Sequence, residues 1–399
     1  MKIKVSKKDL WALFYCFAFI PVDAIRLVIG SFGYFVLMLI GSAFALLQGV
    51  KDKTITKSRQ FIIWFMLMIW MTICTIVNYQ PIIWPIYYVG MVAIWFLIND
   101  WYLEKESLSL LRISRLYVGA VIVVTFIQQM VAPSIFGFTG GMNARNVFTS
   151  DNFLGYYYLA YIAVCVILDF VDYNKIQSKT YIMTGICMAS IIKAWSVKSV
   201  IGLGIVILYI LFLYKKKIAR LLNTRNIVIL FGIIFVAVVF YNVQDHFIDF
   251  FSKYFGKDAT VSIRYYIWTQ AIENIKAHPV FGYGIREGQR LLLQQTWAGN
   301  ARSSHNIILE LILEGGFIGF GLFLLSIVTA LSNKKETVKG QNQYEYYFLL
   351  FVIFCFFVME LASGSIYYPY YYMPIILINN LDRLVEIKRM NDESGVKYG

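Results

Sequence analysis

Twelve apolar runs separated by short polar connectors organise the chain. They fall at residues 10–29, 31–49, 61–78, 82–99, 114–131, 152–170, 181–195, 199–214, 226–242, 304–331, 345–362 and 366–380. One helix needs ~20 mostly apolar residues to cross a bilayer, and most of these runs are near that length. The first is interrupted by Pro21, Asp23 and Arg26, which predicts a broken helix there. No alternating strand pattern, internal repeat or low-complexity tract competes with this reading. The pattern predicts an all-α fold, a polytopic integral membrane helical bundle of about 12 transmembrane helices forming one domain over 1–399.

Composition sharpens the class. Hydrophobic residues make up 59% of the chain and charged residues 15%, against roughly 45–50% and about 25% in a soluble domain. A soluble globular protein and a disordered one are both excluded. The net charge of +13 matters less than its distribution. With the N-terminus in the cytoplasm, 25 of the 36 Lys and Arg fall in the inside segments 1–9, 50–60, 99–115, 171–180, 215–225, 332–344 and 381–399. Basic residues in short loops are held back from translocation, so this parity predicts a multi-pass protein of the bacterial cytoplasmic membrane with both termini cytoplasmic. The basic start Met1-Lys2-Ile3-Lys4 leads into an apolar run without a small-residue cleavage site and reads as a signal anchor. The five cysteines all lie in apolar runs, so neither a zinc site nor a disulfide framework is suggested.

Two outer connectors are long. Segment 132–151 is rich in Gly, Asn and Phe and reads as an ordered loop. Segment 243–303 has 61 residues, which predicts a large extracytoplasmic loop carrying short helices. Within it an amphipathic helix is expected over 262–278, capped by Ser262 and stopped by Pro279. Its apolar stripe is Ile263, Tyr266, Ile267, Ala271 and Ile275, with Arg264 away from it. Such a helix rests on the membrane surface or on the bundle top, and simple anchoring is its plainest role.

The candidate chemistry gathers at the same side. Gly282-Tyr283-Gly284 permits a tight turn and close backbone approach, and it lacks the preceding strand of a dinucleotide fingerprint. Arg286, Arg290 and Arg302 follow, and Ser303-Ser304-His305-Asn306 opens the tenth run. His305 reads either as an interfacial anchor or as a functional group sharing a helical face with Arg302 and Asn306, if the helix begins that early. Asn306, Glu310 and Glu314 continue the face. Glu310 orients a cationic partner or a sugar, or pairs structurally with a Lys or Arg. Lys198 sits in a very short outer turn, where it either binds an anion or snorkels to the interface. Arg145 and the amides after it precede the sixth run and suit sugar hydroxyls, while Asn152 serves equally as a helix cap.

Arg264-x-x-x-Trp268, then His278-Pro279-x-x-Gly282-Tyr283-Gly284, then Ser304-His305-Asn306 with Glu310, Glu314 and Gly315 resembles the O-antigen ligase/polymerase superfamily of bacterial glycan polymerases and ligases. The resemblance is strongest over 264–321 and reaches more weakly to Ser196-x-Lys198-Ser199 and Asn152-x-x-Gly155-Tyr156. Lys198 stands where the family usually has Arg, which bears on bidentate phosphate binding. The resemblance implies an oligosaccharide donor linked to undecaprenyl pyrophosphate in the outer leaflet, a lipid-linked acceptor, and transfer without a metal, nucleotide sugar or other cofactor. It implies His305 and Arg264 as catalytic residues, with His305 either deprotonating the attacking hydroxyl or hydrogen-bonding the pyrophosphate. Lys198, Arg286, Arg290, Arg302, Asn306, Glu310, Arg145, Gly282 and Gly284 would bind the pyrophosphate or the glycan. The bilayer, a flippase and a chain-length regulator are the candidate partners, and nucleic acid is not one.

Three functions follow. The first is a polymerase joining lipid-linked repeat units into capsular, exo- or O-antigen polysaccharide. The second is a ligase moving a lipid-linked glycan to a lipid or protein acceptor. The third, of another class, is a transporter or flippase, which predicts ionisable residues through the mid-membrane depth and inverted repeats. The polymerase is favoured because the Lys-, Tyr- and Phe-rich chain looks like that of a low-GC Gram-positive bacterium, which lacks a lipid A core.

Overall fold

The structure, a computed structural model, describes residues 6–132, 146–214, 216–241, 260–285, 303–332, 343–364 and 367–394. The protein is a polytopic helical membrane protein, and no strand occurs among the described residues. Each apolar run is helical. The first half contains α1 (Lys7–Phe19), α2 (Asp23–Lys51), the short α3 (Thr54–Lys57), α4 (Arg59–Val77), α5 (Ile83–Glu104), α6 (Ser109–Val131) and α7 (Leu154–Tyr173). The second contains α8 (Ser178–Ala194), α9 (Val197–Leu208), α10 (Thr224–Val239), α11 (Thr260–Ala277), α12 (Ile307–Ser332), α13 (Gln343–Glu360), α14 (Met373–Asn379) and α15 (Leu381–Ser394). Seven of them, α2, α4, α5, α6, α7, α12 and α13, are long and apolar enough to cross a membrane by length and composition.

Long-range hydrogen bonds sort the helix ends into two sets. At one end, Tyr102 of α5 donates to the Lys8 carbonyl at 2.8 Å and Lys57 pairs with Glu104 at 2.6 Å. There too Arg112 meets Asp172 at 2.8 Å, Lys388 meets Asn174 at 3.1 Å, and Thr224 meets Tyr346 at 2.7 Å. At the other end, the Asp23 N–H donates to the Phe148 carbonyl at 2.8 Å, and Ser190 donates to Gln129 at 2.7 Å. Tyr156 there donates to the Met359 carbonyl at 3.0 Å. The shorter α1, α8, α9, α10 and the α14 segment run between these ends as the seven long helices do. Among the described residues the chain therefore alternates end to end, and α1 begins at the end where α15 lies.

The first crossing differs from the run boundaries. The break falls at Ile20–Val22 around Pro21, α2 already begins at Asp23, and it is interrupted again at Gly30, whose φ is 72°. The cause is local, because Pro removes a donor and Gly alone adopts that dihedral without strain.

α7 forms the centre. Every side chain from Leu154 to Val171 is buried, as expected of a helix that is apolar all round. Two buried carboxylates away from the candidate site have close polar partners. Asp169 meets Arg115 at 2.9 Å and accepts from Thr180 at 2.6 Å, while Asp100 accepts from Ser58 and from Asn380. Both networks lie at the first end. All five cysteines are buried.

The alternation makes a labelling prediction. In a cysteine-free background, Lys53→Cys and Lys175→Cys should react with an impermeant thiol reagent from one face of the membrane only. Tyr79→Cys and Lys193→Cys should react from the other. Lys53 and Tyr79 reacting from the same face would break the crossing pattern.

Candidate functional site

The site is built around the start of α12. The Asn306 side-chain oxygen accepts from the N–H groups of Ile308 at 3.1 Å and Leu309 at 3.3 Å, which makes Asn306 the helix N-cap. The helix thus begins at Ile307, and His305 precedes it instead of sharing a helical face with Asn306. Ser304 donates its N–H at 2.7 Å and its hydroxyl at 2.6 Å to one oxygen of buried Glu310. Its carbonyl accepts from the Trp268 indole N–H at 2.9 Å. Gripped on one side by Ser304 and on the other by a capping Asn, His305 adopts a left-handed φ of 51°. For a non-glycine residue that conformation costs about 1–3 kcal/mol and persists only where neighbours impose it.

Trp268 lies one turn from Arg264 on α11, so the indole that anchors the helix also presents the guanidinium to the site. The helix differs from expectation in two respects. Ser262 lies inside it, and Tyr266 is exposed while Ile267, Trp268, Ala271 and Ile275 are buried against Leu309, Ile312 and Leu313 of α12 and Val239 of α10. The buried face is rotated toward Trp268 because the indole hydrogen bond fixes it there. The helix rests on the bundle top.

Lys198, in the first turn of α9, holds its ammonium 5.0 Å from the Tyr156 ring and 5.9 Å from the Phe153 ring. α9 comes this close because residue 155 is glycine, where any Cβ would overlap the Ser199 side chain. The residue at the N-cap position of α7 is Phe153, without a side-chain cap, so Asn152 does not cap that helix. Burial lowers the Arg264 guanidinium from its usual pKa, and the nearby Tyr156 phenol partly offsets this. Burial, then the Arg264 charge, then the Lys198 charge push His305 down to about 4. The three motifs that carry Lys198, Arg264 and His305 therefore meet at one place.

Gly282 and Gly284 are placed differently, against helix backbone. α12 is broken at Gly316, whose φ is 63°. The break turns the Phe317 N–H to the Pro279 carbonyl at 2.8 Å. The Leu313 carbonyl accepts instead from Tyr283 N–H at 2.7 Å, and the Glu314 carbonyl from Gly284 N–H at 2.9 Å. A Cβ on Gly282 would lie 2.5 Å from the Leu313 oxygen, and one on Gly284 would lie 2.9 Å from the Thr75 Cα. The turn and the broken helix thus complete each other's hydrogen bonds. Glu314 accepts from the Tyr367 hydroxyl.

Arg145, Arg286, Arg290 and Arg302 lie outside the described residues, as do 242–259 and 286–302 of the long loop. Ser304, Trp268 and Tyr156 stand in the sequence only as letters of the matching motifs, and Glu360 was missed as a site neighbour. Glu360, a carboxylate at the end of an apolar run, was a visible signal.

The described part of the site is thus a part-buried histidine with two basic side chains acting on it, at one end of a polytopic helical bundle. Residues 183–324 match the family described as O-Antigen ligase, and the match includes Lys198, Arg264, His305 and Glu310. The chain is 27% identical over 153 residues to the exopolysaccharide production protein ExoQ of Rhizobium meliloti, covering 36% of this chain and 35% of the relative. It is 26% identical over 185 residues to the ComP-specific O-oligosaccharyltransferase of Acinetobacter baylyi, covering 42% of this chain and 32% of the relative. The chain thus spans about a third of the length of the curated relatives it matches. The family is one of glycosyltransferase-type enzymes.

Two outcomes test this geometry. The folded protein resists protonation at His305 between the ordinary 6.5 and about 4, while the unfolded chain does not. Stability should fall as pH drops through that window, and thermal unfolding in detergent should show a shallower fall for His305→Gln. Gly316→Ala puts a Cβ into the Val280 carbonyl at a positive φ. It should lower stability by at least the ~1–3 kcal/mol of such strain, read as a lower unfolding midpoint.

Proposed function

We propose that this protein transfers a glycan from a polyprenyl pyrophosphate donor to an acceptor hydroxyl, and that its acceptor is a second lipid-linked repeat unit, so that it acts as a polysaccharide polymerase. The observation that carries the reading is the convergence of Lys198 and Arg264 on His305. The acceptor oxygen bonds to the anomeric carbon, the bond from that carbon to the pyrophosphate oxygen breaks, and its electron pair leaves with the lipid pyrophosphate. Negative charge grows on the leaving group, where two fixed cations stabilise it most. The hydroxyl proton passes to His305. Burial, and after it the same cations, hold free His305 neutral and ready to accept a proton, though as a weak base. A bound pyrophosphate counters their charge, which raises the imidazole pKa toward its ordinary value when the acceptor is in place. Hydrogen bonding of His305 to the pyrophosphate is the other role this position allows.

The site end is opposite the one carrying Lys53, Lys57, Arg112, Arg115 and Lys388. Retention of basic residues on the cytoplasmic side then puts both termini inside and the site at the outer face of the cytoplasmic membrane. A flippase delivering the donor and a chain-length regulator fit this arrangement as partners. The likeness to an O-oligosaccharyltransferase favours a second reading, ligation of the glycan to a lipid or protein acceptor. A transporter is favoured less, because the buried carboxylates lie toward the two helix ends and not along a path between them.

His305→Ala should leave lipid-linked single repeats in cells and erase the long-chain ladder, since losing a general base costs ~10²–10⁴-fold. His305→Gln with near-normal polymer would assign His305 to pyrophosphate binding. Arg264→Ala should abolish product while Arg264→Lys retains part of it. Loss of activity on EDTA treatment with rescue by Mg²⁺ would refute the metal-independent step. Accumulation of long lipid-linked polymer in the His305 variant would identify a ligase instead.

A further inference from the structure

We propose that a file of five aromatic rings beside the histidine site, Phe153, Tyr368, Tyr367, Tyr88 and Trp84, is the subsite that takes the sugars of the donor glycan. Phe153, at the N-cap position of α7, packs on Tyr368 with ring centroids 5.6 Å apart. Tyr367 precedes Tyr368 in the chain and lies 5.0 Å from Tyr88 of α5, which lies 5.8 Å from Trp84 with the two rings nearly parallel. The file joins the site at two places. Phe153 is 5.9 Å from the Lys198 ammonium. The Tyr367 hydroxyl donates to Glu314, one turn beyond Glu310 on α12. A Cβ on Gly364, three positions before Tyr367, would lie 3.6 Å from the Glu310 oxygen that holds Ser304.

The rings differ from a membrane-interface belt, whose aromatic side chains turn outward to the lipid. Trp84 and Tyr88, four residues apart, share one face of α5 and turn to Tyr367 in the segment between α13 and α14. Ile82, Ile83 and Ile86, all exposed, take the opposite face at the same level. All five rings are only half-buried, so each keeps part of its surface open after packing on its neighbour. A pyranose has C–H faces and a rim of hydroxyls. Its polarised C–H groups are drawn to the negative face of an aromatic ring, and phenol and indole edges serve the rim. The Tyr367 oxygen donates its proton to Glu314 and keeps lone pairs for a sugar hydroxyl. A prenyl tail has no use for those polar edges. The donor glycan is the occupant because it is covalently joined to the pyrophosphate, and the file starts beside the cations; this rests on the function proposed above.

The test uses the full chain in nanodiscs. The first probe is the oligosaccharide freed by mild acid from the lipid-linked fraction of the host cells and labelled with 2-aminobenzamide, with binding read by fluorescence anisotropy. Inorganic pyrophosphate and farnesyl pyrophosphate, read by calorimetry, are the second and third. Trp84→Leu and Tyr88→Leu should each weaken the glycan about tenfold, as expected for one lost stacking ring. Both should leave inorganic pyrophosphate affinity unchanged. Tyr367→Phe keeps its ring and should weaken the glycan about threefold. Ile86→Ala, on the opposite face, should change none of the three. Unchanged glycan affinity in a folded Trp84→Leu or Tyr88→Leu protein overturns the proposal. Should neither accumulate, unchanged affinity in Tyr367→Phe overturns it. A loss confined to farnesyl pyrophosphate also overturns it and gives the face to the lipid tail. No glycan bound by the unsubstituted protein overturns the subsite, while a polymer ladder lost in His305→Ala still upholds the transferase. Glycan binding that falls in the ring variants, with a ladder that survives His305→Ala, keeps the subsite and rejects the proposed transfer step.

Discussion

A carboxylate buried in an apolar bundle must have its lone pairs filled, and Glu310 fills one oxygen with the N–H and hydroxyl of Ser304. That contact fixes the chain just before α12, and the rest of the site follows from it. With Ser304 held, its carbonyl points at the Trp268 indole, which docks α11 on the bundle. With Asn306 spent on capping, His305 is left between two anchored neighbours in a left-handed conformation it would not choose. The imidazole is placed by backbone constraint, so its position does not depend on a flexible side chain finding a partner.

A second constraint acts a few turns down the same helix. α12 breaks at Gly316, and the freed carbonyls of Leu313 and Glu314 need donors inside a membrane protein, where water is not at hand. The turn through Gly282-Tyr283-Gly284 supplies them. Tyr283 also donates to the Asn274 carbonyl at 3.0 Å, tying the end of α11 to the same junction. Helix break, glycine turn and surface helix are one unit, and Arg264 is carried at its far end.

The electrostatics of that unit favour function over stability. Burial first, and then the charges of Arg264 and Lys198, hold the part-buried His305 neutral. Elsewhere in the same bundle Arg115 forms an ion pair with Asp169, and Asp100 is hydrogen-bonded by Asn380.

The sequence by itself determined the kind of fold, a polytopic bundle of apolar helices, because apolar length is a local property of the chain. It also exposed Arg264, His305 and Lys198, since a charge or a histidine in such surroundings stands out residue by residue. Tertiary structure alone decided what those residues meet. Helical spacing allows a face to include Tyr266 or Trp268, and only the carbonyl of Ser304, 36 positions away, selects Trp268. Nothing local tells that Gly282 and Gly284 serve the broken helix α12 or that Glu310 holds Ser304. Nor does it single out Tyr156, among neighbouring tyrosines, as the one beneath Lys198. Those pairings depend on where distant segments come to lie, and a one-dimensional pattern carries no such distances.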